Sequence, residues 1–394
     1  MKSCRKKFLK IISCILIAVN LTSCIDSREL NKLAIVLAVG IDKLENCDDT
    51  EMTIQLAKLS SNKSGSISSG GSAPSANNVT LNLTETGNGL GKIVKTFNRK
   101  LDRQLFFSHN QVIVLGESAA KSGIAKYLDF FMRYRETRLL VWLLITKSKV
   151  KDILSVPPNM EDTQGRNLAE LISEQKEVSE IPAINLKDFT ERIMSKTSAP
   201  IIPIVEISTN NSAGTKALRL TSTAVFKKDK MIGTLDSQQT RGLLWALNKV
   251  KTGVVPVNLP GYKGTIDVET IHSKGKIAAK LKDNKLIMKI NIKQEGNLLE
   301  QNSSENLATP DNFKVIEKAE EETIKKQIEA AILKSRDLNA DIFGFGDAIY
   351  RRHPKYFKKI EPQWNKTFKN LNIEVNVNCK LRRNGRISKP IMAK

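Results

Sequence analysis

Leu33-Ala34-Ile35-Val36-Leu37-Ala38-Val39-Gly40-Ile41-Asp42 is the stretch from which the fold can be read. Ten residues with one charge, at the end, are too few for a membrane span and apolar on both alternating faces, so they read as a strand covered on both sides. Around it the pattern alternates. Met52, Ile54 and Leu56 interleave with polar residues as a second strand, and residues 80–84 resume strand character. Residues 90–101 read as a helix, 112–116 (VIVLG) as a buried strand, and 123–133 as a helix with Ile124, Tyr127, Leu128 and Phe131 on one stripe. Residues 139–145 (LLVWLLI) give another strand, a short helix runs up to Pro157-Pro158, and helices follow around 168–176 and 186–194. Strand and helix taking turns in this way predicts a mixed α and β protein.

The second half reads differently. Residues 200–205 (PIIPIV) are apolar but carry two prolines, which predicts an edge strand at best. A turn-rich run at 210–216 (NNSAGTK) marks a boundary; strands at 218–226 and 231–235 and a helix at 238–249 follow it. Pro256, Pro260 and Gly261 mark a second boundary. Beyond it come a meander (266–268, 277–281, 286–292), a long helix at 313–336 with Ile324, Ile328, Ala331 and Ile332 in register, and a last strand with Ile373, Val375 and Val377 on one face. Residues 60–78 are nearly all Ser, Gly and Asn, a composition that buries little and predicts a mobile hairpin connection.

Upstream of the first strand, Lys2, Arg5, Lys6, Lys7 and Lys10 precede an apolar run at 11–21. That is the layout of a secretory signal, and the run is shorter than the roughly 20 residues that span a bilayer. It ends in Leu21-Thr22-Ser23-Cys24, which looks like a bacterial lipobox. Residues 1–23 are therefore expected to be a lipoprotein signal peptide, and the Cys24 thiol to carry a diacylglyceryl group. Cys14 is the weaker candidate, because no leucine stands three residues before it. An anchored Cys24 puts the rest of the chain outside the cytoplasm, on a membrane surface.

Charge and cysteine usage fit that placement. The chain of 394 residues carries 63 Lys and Arg against 41 Asp and Glu, a formal net charge of +22. In the cytoplasm such an excess points first to nucleic acid. Outside it, no nucleic-acid partner is expected, and the excess suits anionic lipid headgroups or simply solvated lysine spread over every face. Of five cysteines, Cys4 and Cys14 leave with the signal and Cys24 is modified, so only Cys47 and Cys379 are left for a disulfide.

No constellation for catalysis emerges. Gly87-Asn88-Gly89-Leu90-Gly91-Lys92 has three residues where a phosphate-binding loop needs four, and Ile93 stands where Ser or Thr is required. His109, His272 and His353 belong to no metal-spacing motif. Ser108-His109 lacks the glycines of a nucleophile elbow, and Asp341, Asp347 and Glu361 have no carboxylate partner near in sequence. The reading is a non-enzymatic scaffold or binding protein with no cofactor and no metal.

Taken in order, several stretches resemble the Ger(x)C family, the C-subunit lipoproteins of bacterial spore germinant receptors. They begin with Cys24-Ile25-Asp26-Ser27-Arg28-Glu29-Leu30-Asn31, although the family more often has Trp where Ile25 stands, and continue with Ala34-Ile35-Val36 and Gly40-Ile41-Asp42. Next come Phe107-Ser108-His109-Asn110-Gln111 with the strand after it, and Leu128-Asp129-Phe130 to Arg133 with Glu136 and Arg138. Thr223-Ala224-Val225-Phe226 leads to Gly233, Leu235 and Arg241-Gly242-Leu243-Leu244-Trp245. The densest match is Asp341-Ile342-Phe343-Gly344-Phe345-Gly346, followed by Tyr350, Pro354, Trp364 and Gly385-Arg386-Ile387.

The resemblance implies a three-domain α+β architecture, each domain a mixed or antiparallel sheet with packed helices: 24–212, a small middle domain 213–258, and 259–394. It implies a lipid-anchored subunit on the extracytoplasmic face of the spore inner membrane of Gram-positive bacteria. There it would assemble with two polytopic membrane subunits, A and B, and couple them to nutrient-triggered germination, with no enzymatic step. Candidate contact sites are Arg133, Arg135 and Arg138, and the turn Phe343, Gly344, Phe345 and Gly346. The arginines are equally explained as cations at a helix C-terminus, and the turn as two phenylalanines packed inward. A solute-binding lipoprotein that hands a small ligand to a transporter is the alternative, expected to show two α/β lobes around a cleft.

Overall fold

The computed structural model describes residues 29–45, 47–58, 79–209, 214–259, 261–262, 264–283, 285–302, 307 and 309–383. The expected signal peptide, Cys24, the 60–78 segment and Gly385-Arg386-Ile387 lie outside them.

The apolar stretch that opened the reading becomes β1 (Leu33–Lys43), an inner strand of a nine-stranded sheet. β2 (Thr50–Ala57), β3 (Thr80–Gly87), α1 (Leu90–Lys100), the short β4 (Gln104–Phe106) and β5 (Val112–Gly116) come next. They are followed by α2 (Glu117–Ser122), α3 (Ala125–Arg133), β6 (Trp142–Thr146), α4 (Val150–Ser155), α5 (Gln164–Ser173), α6 (Gln175–Val178) and α7 (Leu186–Met194). The sheet is completed by β7 (Ile201–Thr209), β8 (Lys216–Lys227) and β9 (Lys230–Leu235), in the order β3-β2-β1-β5-β6-β7-β8-β9, with β4 beside β1. β1, β5 and β6 run parallel and the two edges antiparallel. Val36, Ala38, Val39 and Ile41 are wholly buried because helices cover both faces. α4 and α5 close one face over Ala38, Val112, Val114 and Leu144. Their approach is tight: a Cβ on Gly40 would lie 2.1 Å from Val150 Cγ1.

α8 (Ser237–Ala246) then leads to a second, four-stranded sheet in the order β10 (Val254–Val257), β11 (Ile266–Lys282), β12 (Lys285–Gln301) and β13 (Asn372–Arg383). Between β12 and β13, α9 (Pro310–Asp337), α10 (Phe345–Arg352), α11 (Pro354–Ile360) and α12 (Trp364–Lys369) form a long crossover. The crossover is what lets β13 pair parallel to β12. The larger hydrophobic cluster is continuous from Ile41 and Phe97 through Trp245 to Ile292 and Ile328, so one core underlies both sheets.

Two elements differ from expectation. β7 is an interior strand, not an edge. Phe226 N donates to Pro200 O at 2.9 Å, so by antiparallel alternation the nitrogen of Pro203 faces away from β8. It turns toward β6, which shares a single register pair with β7, Ile145 with Ile204, so the missing N–H costs little. The expected short strands at 266–268 and 277–281 are one 17-residue strand. Gly275 in its middle exists because Trp245 O passes within 2.2 Å of where a Cβ would stand. The boundary expected near residue 213 falls between β7 and β8, which pair from Thr209–Lys216 to Ile201–Val225. Cys47 is exposed and Cys379 buried, and both are free thiols.

Candidate functional site

The stretch Asp341 to Asp347 forms a joint. Its first carboxylate caps α10: Asp341 Oδ1 accepts from Phe345 N and Oδ2 from Gly346 N, both at 2.9 Å. Burial pushes the Asp341 carboxyl up to about 6, against those two bonds and the nearby Arg192. Gly344 takes φ +73°, the left-handed region that favours glycine, and this turn points both flanking rings inward. Phe343 and Phe345 stack at 5.0 Å and are buried, so neither is presented to a partner.

What the turn contacts is the chain's own α7 and the segment after it. Arg192 Nη1 donates to Ala199 O at 2.9 Å and to Ile342 O at 2.8 Å. Burial lowers the pKa of this guanidinium while Asp341, Asp347 and Asp188 hold it up. Asp347 accepts from Ser195 Oγ at 2.9 and 3.0 Å, Ser198 Oγ at 2.5 Å and Thr197 Oγ1 at 3.3 Å. A Cβ on Gly346 would meet Thr197 Cβ at 2.5 Å. The joint therefore pins the lead-in to β7, in the first sheet, onto the crossover of the second. An Asp347→Ala chain is expected to lose about 2 kcal/mol in urea unfolding, because three hydroxyls lose one charged acceptor.

Other resembling residues are spent in the same way. Asp42 Oδ2 accepts from Val150 N at 2.8 Å, capping α4, and burial raises its pKa. Arg241 Nη1 donates to Ser179 O at 2.7 Å and Val178 O at 3.2 Å while its guanidinium lies 5.4 Å from the Trp245 ring. His109 is exposed, packing only its ring toward Phe106 at 5.9 Å. Among the described residues no group of three or more His, Cys, Asp or Glu could hold a metal ion.

The arginine cluster is a surface feature. Arg133 Nε pairs with Asp129 at 2.8 and 2.9 Å, one turn back on α3, whereas Arg135 and Arg138 are exposed with no acidic partner among the described residues. Leu139 and Leu140 beside them are 48% and 67% exposed. Elsewhere, a cleft of about 530 Å³ opens between α6, the start of α7 and α8, with Trp142, Ile184, Ile201 and Leu244 in its wall and Lys249 and Lys251 at one side.

A family model described as spore germination protein N-terminal domain matches residues 26–207, and one described as spore germination B3/GerAC like, C-terminal, matches residues 221–385. The chain belongs to the Ger(x)C family. It is thus a member of the germinant receptor C-subunit family, proteins of spore germination. Its similarity to Ger(x)C proteins runs end to end: 25% identity over 373 residues with the putative spore germination protein YfkR of Bacillus subtilis (strain 168), covering 94% of this chain and 95% of that one. Spore germination protein KC of the same strain is 25% identical over 402 residues, 98% of each chain. The crystal structure of the GerBC protein superposes with a TM-score of 0.54 at 18% identity, over 87% of this chain and 96% of that chain, which shows a shared fold.

Sequence reasoning missed Arg192, whose single charge in a helical stripe looks like any solvated position. It also missed Glu320, a fully buried acid of α9. The one signal for Glu320 was its spacing, four residues after Ile316 and four before Ile324, on the apolar stripe.

Proposed function

We propose that the chain is the lipid-anchored C subunit of a nutrient germinant receptor, held on the outer face of the spore inner membrane through Cys24. It acts there by assembling with two polytopic membrane subunits and coupling them to germination, without catalysing a reaction. The observation that carries the reading is the end-to-end family match. The fate of the motif residues supports it. Asp42, Arg241, Asp341 and Asp347 serve internal joints, a use that suits a coupling subunit better than an active site. No helix among the described residues is long and apolar enough to cross a membrane, so an acyl chain on Cys24 would supply the attachment.

The test is a Cys24→Ala chain expressed in its own sporulating host. It is expected to leave the membrane fraction and to reduce nutrient-triggered germination several-fold while germination by non-nutrient triggers stays intact. Full nutrient germination with the protein in the soluble fraction would refute the anchored-subunit reading.

A further inference from the structure

The attachment reading says that the chain is tethered; the fold says which side it would turn to the bilayer. We propose that the sheet end where β1, β5 and β6 begin, crowned by Arg135, Arg138, Leu139 and Leu140, rests on an anionic lipid surface with the two leucines in the headgroup layer. This rests on Cys24 being the acylated residue.

The topology brings these parts together. β1, β5 and β6 are parallel, with Ala38 level with Val112 and Val112 level with Trp142, so the chain enters all three from one end. β4 joins that end, Phe106 opposite Ile35, and Glu136 accepts from Phe107 N at 3.3 Å. The arginine loop therefore lies alongside the first residues of β1. From Leu30, which is 59% exposed just before β1, only six residues lead back to Cys24, a reach of about 20 Å when fully extended. A tether that short keeps this end close to the lipid whatever the rest of the body does.

The surface there has the chemistry of an interfacial contact. Leu139 and Leu140 stand out beside two guanidinium groups without acidic partners, which match lipid phosphates in charge and geometry. The apolar ridge continues along α7. Lys187 N donates to Leu139 O, Thr190 Oγ1 donates to Met132 Sδ at 3.5 Å, and Met194 follows one turn later at 77% exposure, with Met132 at 46%. Of the acids in this region, Asp129 is held by Arg133, Glu191 by Lys187 at 3.7 Å, and Glu136 by the Phe107 amide. Apolar side chains interleaved with free cations are what a peripheral protein presents to anionic headgroups.

The experiment places the full-length acylated chain in phosphatidylglycerol vesicles whose acyl chains are brominated near the headgroup, and reads tryptophan quenching. Leu140→Trp is compared with Leu299→Trp, an exposed control on β12 (Leu299 is 54% exposed), after subtracting the signal of Trp142, Trp245 and Trp364 in the parent chain. The added tryptophan at 140 is expected to be quenched at least threefold more than that at 299. Mass spectrometry of the same preparation reports acylation of Cys24. Acylated protein with equal quenching at both positions would overturn this inference and leave the tether standing, pointing instead to a protein partner or open solvent at this end. An unmodified Cys24 would overturn both.

Discussion

Between pH 5 and pH 9 the parent chain should lose several kcal/mol of stability more than a Glu320→Gln chain does. Glu320 sits on the buried stripe of α9, which packs against β10 and β13, where Ile316, Ile324 and Ile328 are the other occupants. It is wholly buried, and neither carboxyl oxygen has a hydrogen-bond partner of normal geometry. Its nearest polar neighbour is the Cys379 thiol, a weak donor, and burial pushes that thiol's own pKa up. The flanking acids are already committed, Glu317 to Leu381 N at 2.8 Å and Glu321 to Cys379 N at 3.0 Å, and their charges oppose a third. Burial, foremost, and then these two carboxylates push Glu320 up to about 8 from the usual 4.5. Below pH 4.5 folded and unfolded chains both hold the proton, and stability no longer depends on it. Between 4.5 and 8 only the folded chain holds it, so stability falls as pH rises, by on the order of 4 kcal/mol across the window. Glutamine keeps the shape and carries no titrating group. Urea unfolding of both chains at pH 5, 7 and 9 measures the difference, in which the contribution of Asp341 cancels. Parallel slopes would show that Glu320 is hydrated or paired.

Much of this fold was legible from periodicity. The run at 33–42 became β1, the helices at 90–101 and 186–194 became α1 and α7 within a residue, and 373–377 lies inside β13. What was not legible depends on partners distant in sequence. Pro203 looked disqualifying because the side its nitrogen faces is set by β8 and β6, neither adjacent to it in the chain. Gly275 looked like a break between strands because the helix carbonyl that excludes a side chain there belongs to Trp245. Among the site residues, Phe343-Gly344-Phe345-Gly346 could be read as a contact or as an inward turn, and the left-handed Gly344 selects the inward turn. Its partners, Arg192 and Ser195 to Ser198, lie about 150 residues earlier, in a segment with no motif. Arg133 closes α3 and Arg135 and Arg138 follow it, but their position beside the start of β1 follows only from strand order.

The two sheets share one core, and the narrowest point of that core sets the second expectation: Gly242→Ala should cost about 3 kcal/mol or more. Gly242 lies on α8 where it crosses α9, and a Cβ there would stand 2.0 Å from Gln327 O, 2.3 Å from Gln327 C and 2.7 Å from Ile328 N. These are backbone atoms in the middle of a 28-residue helix, so no rotamer change clears them. One of the helices has to move, and neither is free to. Leu243, Leu244 and Trp245 next to the glycine are all buried, and Trp245 Nε1 donates to Gln327 Oε1 at 3.1 Å across the same crossing. Arg241 on the other side is held by the carbonyls of Val178 and Ser179. Retreat of α8 by the ångström that a methyl needs would strain these bonds and open a gap over Ile328, so the cost lies at the upper end of that for overpacking. Gly91→Ala is the contrast: a Cβ at that helical position meets nothing within 4 Å, and the change should alter stability by less than about 1 kcal/mol, toward stabilisation. Urea midpoints at constant m-value read both. A Gly242→Ala chain as stable as Gly91→Ala would mean that α8 and α9 are not in backbone contact, and that the link from β8 through α8 to the second sheet is looser than the one core described above requires.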